Sequence, residues 1–275
     1  MNAVMRSILT VPVERVESGK TTPLQDLLAV EEPLEIRLAG HTVSITMRTP
    51  GHDFELAAGF LFTEGILTSP GQIERIAFSP ATSNPRQTGN SITVDLQPNV
   101  EIDLARLERH FYISSSCGVC GKASIEALEV QGCPILPRSG LHVPPETIHR
   151  MPEALREAQT VFDQTGGLHA AALFDSAGRL LSLREDVGRH NAVDKLIGVE
   201  FLAGRLPLAD RMVLVSGRTS FELVQKCIVA GIPLLAAVGA PSSLAVELAR
   251  RFQMTLLGFV RNQRFNIYSG GWRIR

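Results

Sequence analysis

Cysteine is scarce in this chain. Four in 275 residues are too few for a disulfide framework at this size, and such a count fits a reducing compartment. No apolar run approaches the roughly 20 residues of a membrane helix. The opening stretch MNAVMRSILTVPVERV has a short apolar segment broken by a proline and a glutamate, so neither a signal peptide nor a span is expected, and a cytoplasmic protein is. A dominant charge is missing too: a net charge of −1 and a pI near 6.7 give no overall attraction to nucleic acid. Neither a longer repeat nor a low-complexity tract is present. One absence is local. After Glu247 there is no acidic residue, while Arg250, Arg251, Arg261, Arg264, Arg273 and Arg275 follow, so this end is expected to present a positive surface to an anion.

Hydrophobic residues make up 44% and charged residues 20%, an ordinary globular composition. Residues 35–47, EIRLAGHTVSITM, alternate apolar and polar positions about Ala39-Gly40 and predict a β-hairpin. Phe54, Ala57, Ala58, Leu61 and Phe62 fall at helical spacing within residues 51–67, and residues 73–78 and 91–96 are strand candidates. From about Gly166 the pattern changes. LHAAALFDSAGRLLSL is two apolar runs about a turn, and helical character follows Gly188. Two strand-turn-helix units come next: residues 212–215 lead through SGRTS into a helix over 221–229, and residues 234–238 lead through GAPSS into a helix over 244–252. Buried strands alternating with helices imply a parallel sheet covered on both faces. Residues 255–260 and 265–268 are final strands. Five prolines within 134–152 predict a hinge. The expectation is an α/β fold, α+β overall, with a smaller, mostly β unit over 1–135 and an α/β unit over 136–275.

Residues 111–128, FYISSSCGVCGKASIEAL, hold two of the four cysteines, Cys117 and Cys120. Residues 122–130 favour a helix, so the pair sits ahead of a helix N-terminus and beside Lys122, where the dipole and the charge favour thiolate. Several readings stay open. A structural zinc site lacks a second CxxC or CxxH, and His142 and His149, seven apart, miss the usual ligand spacing. A thioredoxin-like pair belongs near the start of a βαβ unit, which this is not. An idle surface turn would expose reactive thiols to no purpose. A sulfur-handling nucleophile would carry a persulfide on one thiolate and use its neighbour to release it. Cys133 and Cys227, in apolar context, read as packing thiols.

The loops after the two parallel strands bear on the acceptor. In SGRTS, Thr219 with Glu222 predicts a capping box, and Ser216, Gly217, Arg218 and Thr219 form the turn. GAPSS repeats the design with Ser242. Adjacent helix N-termini at the carboxyl ends of parallel strands suit a phosphate or pyrophosphate, although any α/β protein needs capped connections. EDVGRHNAVDKL, residues 185–196, is either a solvated charged face or a set of donors, Arg189 and His190 among them, offered to a nucleotide. In FVRNQR, residues 259–264, two arginines suit bidentate contacts to phosphate or guanine.

The stretches RTPGHDFELAAGFLFTEGI, SSSCGVCGK, EDVGRHNAVDKLIG, SGRTSFELVQK, GAPSSLAVELA and GFVRNQRFNIY, in that order between residues 48 and 268, resemble one family, the formate dehydrogenase accessory sulfurtransferases (FdhD/NarQ). The resemblance implies a sulfurtransferase that takes sulfur from a cysteine desulfurase. It would pass the sulfur to the molybdenum cofactor, Mo-bis(molybdopterin guanine dinucleotide), before that cofactor enters formate dehydrogenase. It implies Cys117 as persulfide carrier, Cys120 as its partner, and Phe259, Val260, Arg261, Asn262, Gln263 and Arg264 as the cofactor-contacting segment. It also implies a three-layer C-terminal domain like the cytidine deaminase fold, a homodimer, and a guanine nucleotide such as GDP as a mimic of the cofactor. A hydrolytic zinc deaminase is not expected, because His169 is followed by Ala-Ala and the CxxC lies upstream. The alternative from another class is a non-catalytic chaperone that binds the guanine dinucleotide cofactor while its cysteines shield the metal.

Overall fold

A computed structural model describes residues 7–79, 89–100 and 133–275. Three sheets appear among them. Strands β1 (Ile8–Glu17) and β2 (Lys20–Ala29) form a two-stranded antiparallel ribbon. Strands β3 (Glu32–Leu38), β4 (His41–Arg48), β5 (Ile73–Phe78) and β6 (Ser91–Leu96) form a sheet of order β4-β3-β6-β5. The largest sheet takes β7 (His169–Phe174), β8 (Leu180–Asp186), β9 (Met212–Val215), β10 (Leu234–Ala237), β11 (Thr255–Arg261) and β12 (Arg264–Ser269) in the order β12-β11-β10-β9-β7-β8. β9, β10 and β11 are parallel, as the strand-turn-helix units predict, while β7, β8 and β12 are antiparallel to their neighbours.

The large sheet is the middle of three layers. MVLV of β9 and LLAA of β10 are buried throughout, which is why they read as unbroken apolar runs. Ala171, Leu173, Val213, Val215, Leu235 and Leu256 pack under helices α4 (Arg189–Leu202), α5 (Phe221–Val229) and α6 (Ser243–Arg251). On the opposite face, Ala170, Ala172, Phe174, Leu214 and Leu257 meet helix α2 (Pro145–Ala158). Helix α1 (Asp53–Thr63) lies between the four-stranded sheet and α4, so Leu56, Ala57, Ala58 and Leu61 share a core with Leu34, Ile36, Ile92 and Phe201.

Two parts of the chain depart from the sequence reading. The proline-rich stretch 134–152 is not an open hinge over its length: Pro144 takes the N-cap and Pro145 the first helical position of α2, the one place in a helix where proline is favoured. Pro152 lies inside that helix and removes one hydrogen bond, but the buried stripe Ile148, Met151 and Leu155 holds it to the sheet. A short helix, α3 (Thr160–Thr165), follows. The β1–β2 ribbon was not predicted either. Its Ser18-Gly19 turn has positive φ at both residues, 50° and 78°, as a two-residue hairpin loop requires. Among the described residues no helix is long and apolar enough to cross a membrane.

Candidate functional site

Strand direction decides which residues meet at one edge of the large sheet. β9, β10 and β11 run parallel, so the loops SGRTS and GAPSS emerge side by side with the end of β11. β7 is antiparallel to β9, and β8 to β7, which brings His169 at the start of β7 and Asp186 at the end of β8 to the same edge. Backbone bonds stitch the loops together. The Gly239 N–H donates to the Gly217 carbonyl at 3.0 Å, the Thr219 N–H to Ala240 at 3.1 Å, the Ser242 N–H to Thr219 at 2.9 Å and the Phe259 N–H to Gly239 at 3.0 Å. A Cβ at Gly239 would lie 3.0 Å from both Arg218 Cγ and the Gly217 oxygen, so any larger residue would make this close crossing give by a few tenths of an ångström.

The predicted residues of these loops take different roles. Ser216 Oγ accepts the Ala170 N–H at 2.9 Å and extends the strand ladder. Ser242 caps α6, its Oγ accepting the Ala245 N–H at 3.3 Å. The capping box expected from Thr219 and Glu222 does not form. Thr219 is drawn into a backbone bridge with Pro241, α5 spans the expected 221–229 but with Ser220 at its N-cap and no side-chain cap, and the buried Thr219 hydroxyl has no hydrogen-bond partner. Glu222 turns instead to His190, whose Nε2 lies 3.7 Å from the carboxylate and 3.1 Å from Ser220 Oγ. The His190 imidazole beside it holds the Glu222 carboxyl at about 2, against the raising effect of partial burial and with help from the Ser220 hydroxyl and its own amide. Because the folded value lies below the ordinary 4.5, this stabilisation is complete above that value and is lost as pH falls toward about 2. Glu222→Gln should therefore need less urea to unfold than the parent at neutral pH, and the gap should shrink as pH drops below about 5. Urea titrations at neutral pH and at about pH 3 measure it; a gap that does not change with pH would contradict the pairing.

Charged residues of EDVGRHNAVDKL mostly turn inward. Asp186 and Lys195 form an ion pair at 2.7 Å with both side chains at most 1% exposed. Asp186 also accepts the N–H groups of Thr49 and Gly188 and the Asn191 amide, and Lys195 Nζ donates to the Thr49 carbonyl at 2.8 Å. Asp194 pairs with Lys226 at 2.8 Å and accepts the Thr63 hydroxyl at 2.7 Å. Burial pushes the Asp194 carboxyl up, opposed by Lys226. These groups bolt α4 to the end of β4 and to α1; they are neither a solvated face nor ligand donors. Arg189 and His190, at the head of α4, remain at the edge. His169 stands beside them, its pKa lowered first by burial and then by the charges of Arg189 and His190.

The segment Phe259 to Arg264 closes the edge. Phe259 sits in a bulge of β11 with φ 55°, a left-handed conformation that costs a non-glycine residue about 1–3 kcal/mol and is often kept at working sites. Arg261 lies 5.7 Å over its ring, Val260 points into the core, and Asn262-Gln263, φ 53° and 55°, make the two-residue turn into Arg264. Between this turn and α2 lies a cleft of about 620 Å³ lined by His149, Arg150, Glu153, Arg261, Asn262 and Gln263. Not all tail arginines are exposed. Arg273 is fully buried and donates to the carbonyls of Gln253 and Pro137. Of the two packing thiols, Cys227 is buried and desolvation pushes it up to about 12, whereas Cys133 is only partly buried. Cys117 and Cys120 lie outside the described residues. Among the described residues no group of three His, Cys, Asp or Glu is arranged to hold a metal ion. The sequence offers Arg189 with His190 as donors to a nucleotide but does not mark His169, which only the antiparallel placement of β7 beside β9 brings to this edge.

The sequence profile of the FdhD/NarQ family matches residues 29–275. Proteins named "Sulfur carrier protein FdhD" are similar over nearly the whole chain. The one from Streptomyces coelicolor is 50% identical over 95% of this chain and 94% of its own length. The one from Mycobacterium tuberculosis is 47% identical over 95% and 96%, and that from Sulfolobus acidocaldarius 42% identical over 97% and 98%. The crystal structure of a formate dehydrogenase accessory protein from Desulfotalea psychrophila superposes with a TM-score of 0.76 at 26% identity, covering 98% of this chain and 99% of the other.

Proposed function

The chain belongs to the FdhD/NarQ family, and from that premise we propose that it is a sulfur carrier for formate dehydrogenase maturation, acting in the cytoplasm between a cysteine desulfurase and the molybdenum cofactor. The observation that carries this reading is the likeness to proteins named sulfur carriers over 95% of the chain, in a sequence that places Cys117 and Cys120 three positions apart.

In the proposed chemistry the Cys117 thiolate attacks the terminal sulfur of the desulfurase persulfide. That S–S bond breaks, the desulfurase thiolate leaves, and Cys117 becomes the persulfide. Cys120 then attacks Cys117 Sγ, so a disulfide forms and the terminal sulfur departs as sulfide to the acceptor, the two electrons coming from the cysteine pair. A dithiol reductant resets the pair. The acceptor is Mo-bis(molybdopterin guanine dinucleotide). Its guanine end suits Phe259, Val260, Arg261, Asn262, Gln263 and Arg264, where the two guanidinium forks match guanine or phosphate edges. Its pyrophosphate suits the loops at Ser216, Gly217, Arg218, Thr219 and Ser242 with His190 alongside. Arg218, Arg261 and Arg264 make no ion pair among the described residues, which leaves them available to an anion. A homodimer is part of the same proposal.

Incubation with a cysteine desulfurase and labelled cysteine, followed by mass spectrometry, tests the sulfur step. One added sulfur is expected on the Cys117 peptide. An unmodified peptide from a protein that still binds GDP would favour the non-catalytic cofactor chaperone instead.

A further inference from the structure

Arg189 is the one arginine at this edge with a guanidinium nitrogen, Nε, that is buried and without a hydrogen-bond partner among the described residues. It takes the first position of the 14-residue helix α4, behind Gly188, which offers no side-chain cap, and the first turn of α4 holds no acidic residue. Nearby, the head of α5 also lacks a side-chain cap, and Thr219, only 1% exposed, leaves its hydroxyl without a partner. The acids that could answer Arg189 are already engaged. Asp186 holds Lys195 and Glu222 holds His190. His169 fills the space beside Gly217, where an added Cβ would meet its Nδ1 at 3.3 Å. Buried donors without acceptors are costly, and two of them at an edge whose carboxylates are already paired call for an anion with several oxygens.

We propose that Arg189 is a ligand-binding residue, its guanidinium pairing with the diphosphate of a nucleoside diphosphate that also accepts the Thr219 hydroxyl and amides at the head of α5. The inference rests on reading this edge as the cofactor's nucleotide site, and it adds the residue that holds the phosphates. A line of contacts runs from the SGRTS loop to the 259–264 turn: Arg218 lies against Gly239, the Gly239 carbonyl accepts the Phe259 N–H, and Arg261 covers the Phe259 ring. Phosphates at Arg189 and a base at the 259–264 turn would divide one ligand along that line.

Calorimetric titration of the full chain with GDP, GMP and guanosine tests this, with Arg189→Gln and Arg189→Lys as variants and thermal melts as a check on folding. The parent should bind GDP more tightly than GMP. Arg189→Gln should weaken GDP about 10- to 100-fold, the range of a lost charged hydrogen bond, and leave guanosine affinity unchanged. Arg189→Lys should fall between, keeping the charge without the fork, and it carries the test alone if the glutamine variant melts early. Equal GDP affinity in parent and variants, or an equal loss for guanosine, would overturn the assignment of Arg189 while the nucleotide site stood. A parent that binds no GDP would overturn it together with the nucleotide site.

Discussion

Gly59→Ala should be among the most damaging single substitutions in the chain, costing about 3 kcal/mol or more, at the upper end of overpacking penalties. The reason is a backbone contact between α1 and α4. An added Cβ at Gly59 would stand 1.9 Å from the Asp194 oxygen and 2.9 Å from the Gly198 nitrogen, and one at Gly198 would stand 1.9 Å from the Glu55 oxygen. Backbone atoms in the middle of two helices cannot swing aside as a side-chain tip can, so the helices must part. Parting them would pull at the Phe62–Phe201 stack, with ring centroids 5.0 Å apart, and at the Thr63–Asp194–Lys226 cluster. Alanine's higher helix propensity returns about 1 kcal/mol at most and cannot offset this. Gly71→Ala is the control, since its Cβ would meet only Ser69 Oγ at 3.6 Å. Urea unfolding of both variants measures the difference; a Gly59→Ala protein as stable as the control would mean the helices do not cross this closely.

Gly59 also shows where sequence reading reaches its limit. Apolar spacing within residues 51–67 locates helix α1, but it does not reveal that this helix is covered on two sides, because the second cover, α4, is more than a hundred residues away. The hairpins at Ala39-Gly40 and before β9 are legible since their signals are local: alternation and a turn dipeptide. The parallel strands are legible because burial on both faces forces apolar runs. The β1–β2 ribbon is hidden because most of its residues face solvent and its sequence carries prolines within both strands. Helix α2 is hidden because its prolines outweigh a clear Ile148, Met151, Leu155 stripe.

The candidate site divides in the same way. Ser242 as a cap follows from strand-turn-helix grammar. The failure of the Thr219 cap does not, because the competing bridge comes from Pro241 in the next loop. Charge is the least legible property. Asp186, Asp194, Lys195 and Arg273 read as surface residues, yet each is buried, since its partners are supplied by distant segments such as Thr49, Lys226 and Pro137. The same folding that pairs Asp186, Asp194 and Lys195 leaves Arg189 with an unanswered donor, and no spacing rule marks that difference.

Lys195→Met should cost about 3–5 kcal/mol, the penalty for removing one partner of a buried ion pair. Asp186 would remain as a carboxylate sealed from water, with only the Thr49 and Gly188 N–H groups and the Asn191 amide to hold its charge. The Thr49 carbonyl would lose its donor as well, loosening the end of β4 from α4. Coupling is the sharper readout. Joined with Asp186→Leu, the substitution removes both charges at once, and replacing a whole buried pair by apolar groups costs far less than breaking it. The double variant should therefore be more stable than the sum of the single losses predicts, by about 1 kcal/mol or more within the range of coupled neighbours. It should not regain the parent's stability, because the Thr49 and Gly188 N–H groups would be left without their acceptor. If the two losses simply add in urea titrations, Asp186 and Lys195 do not act as a pair, and the attachment of α4 to the end of β4 must rest on Asn191, whose Nδ2 donates to the Met47 carbonyl at 2.7 Å.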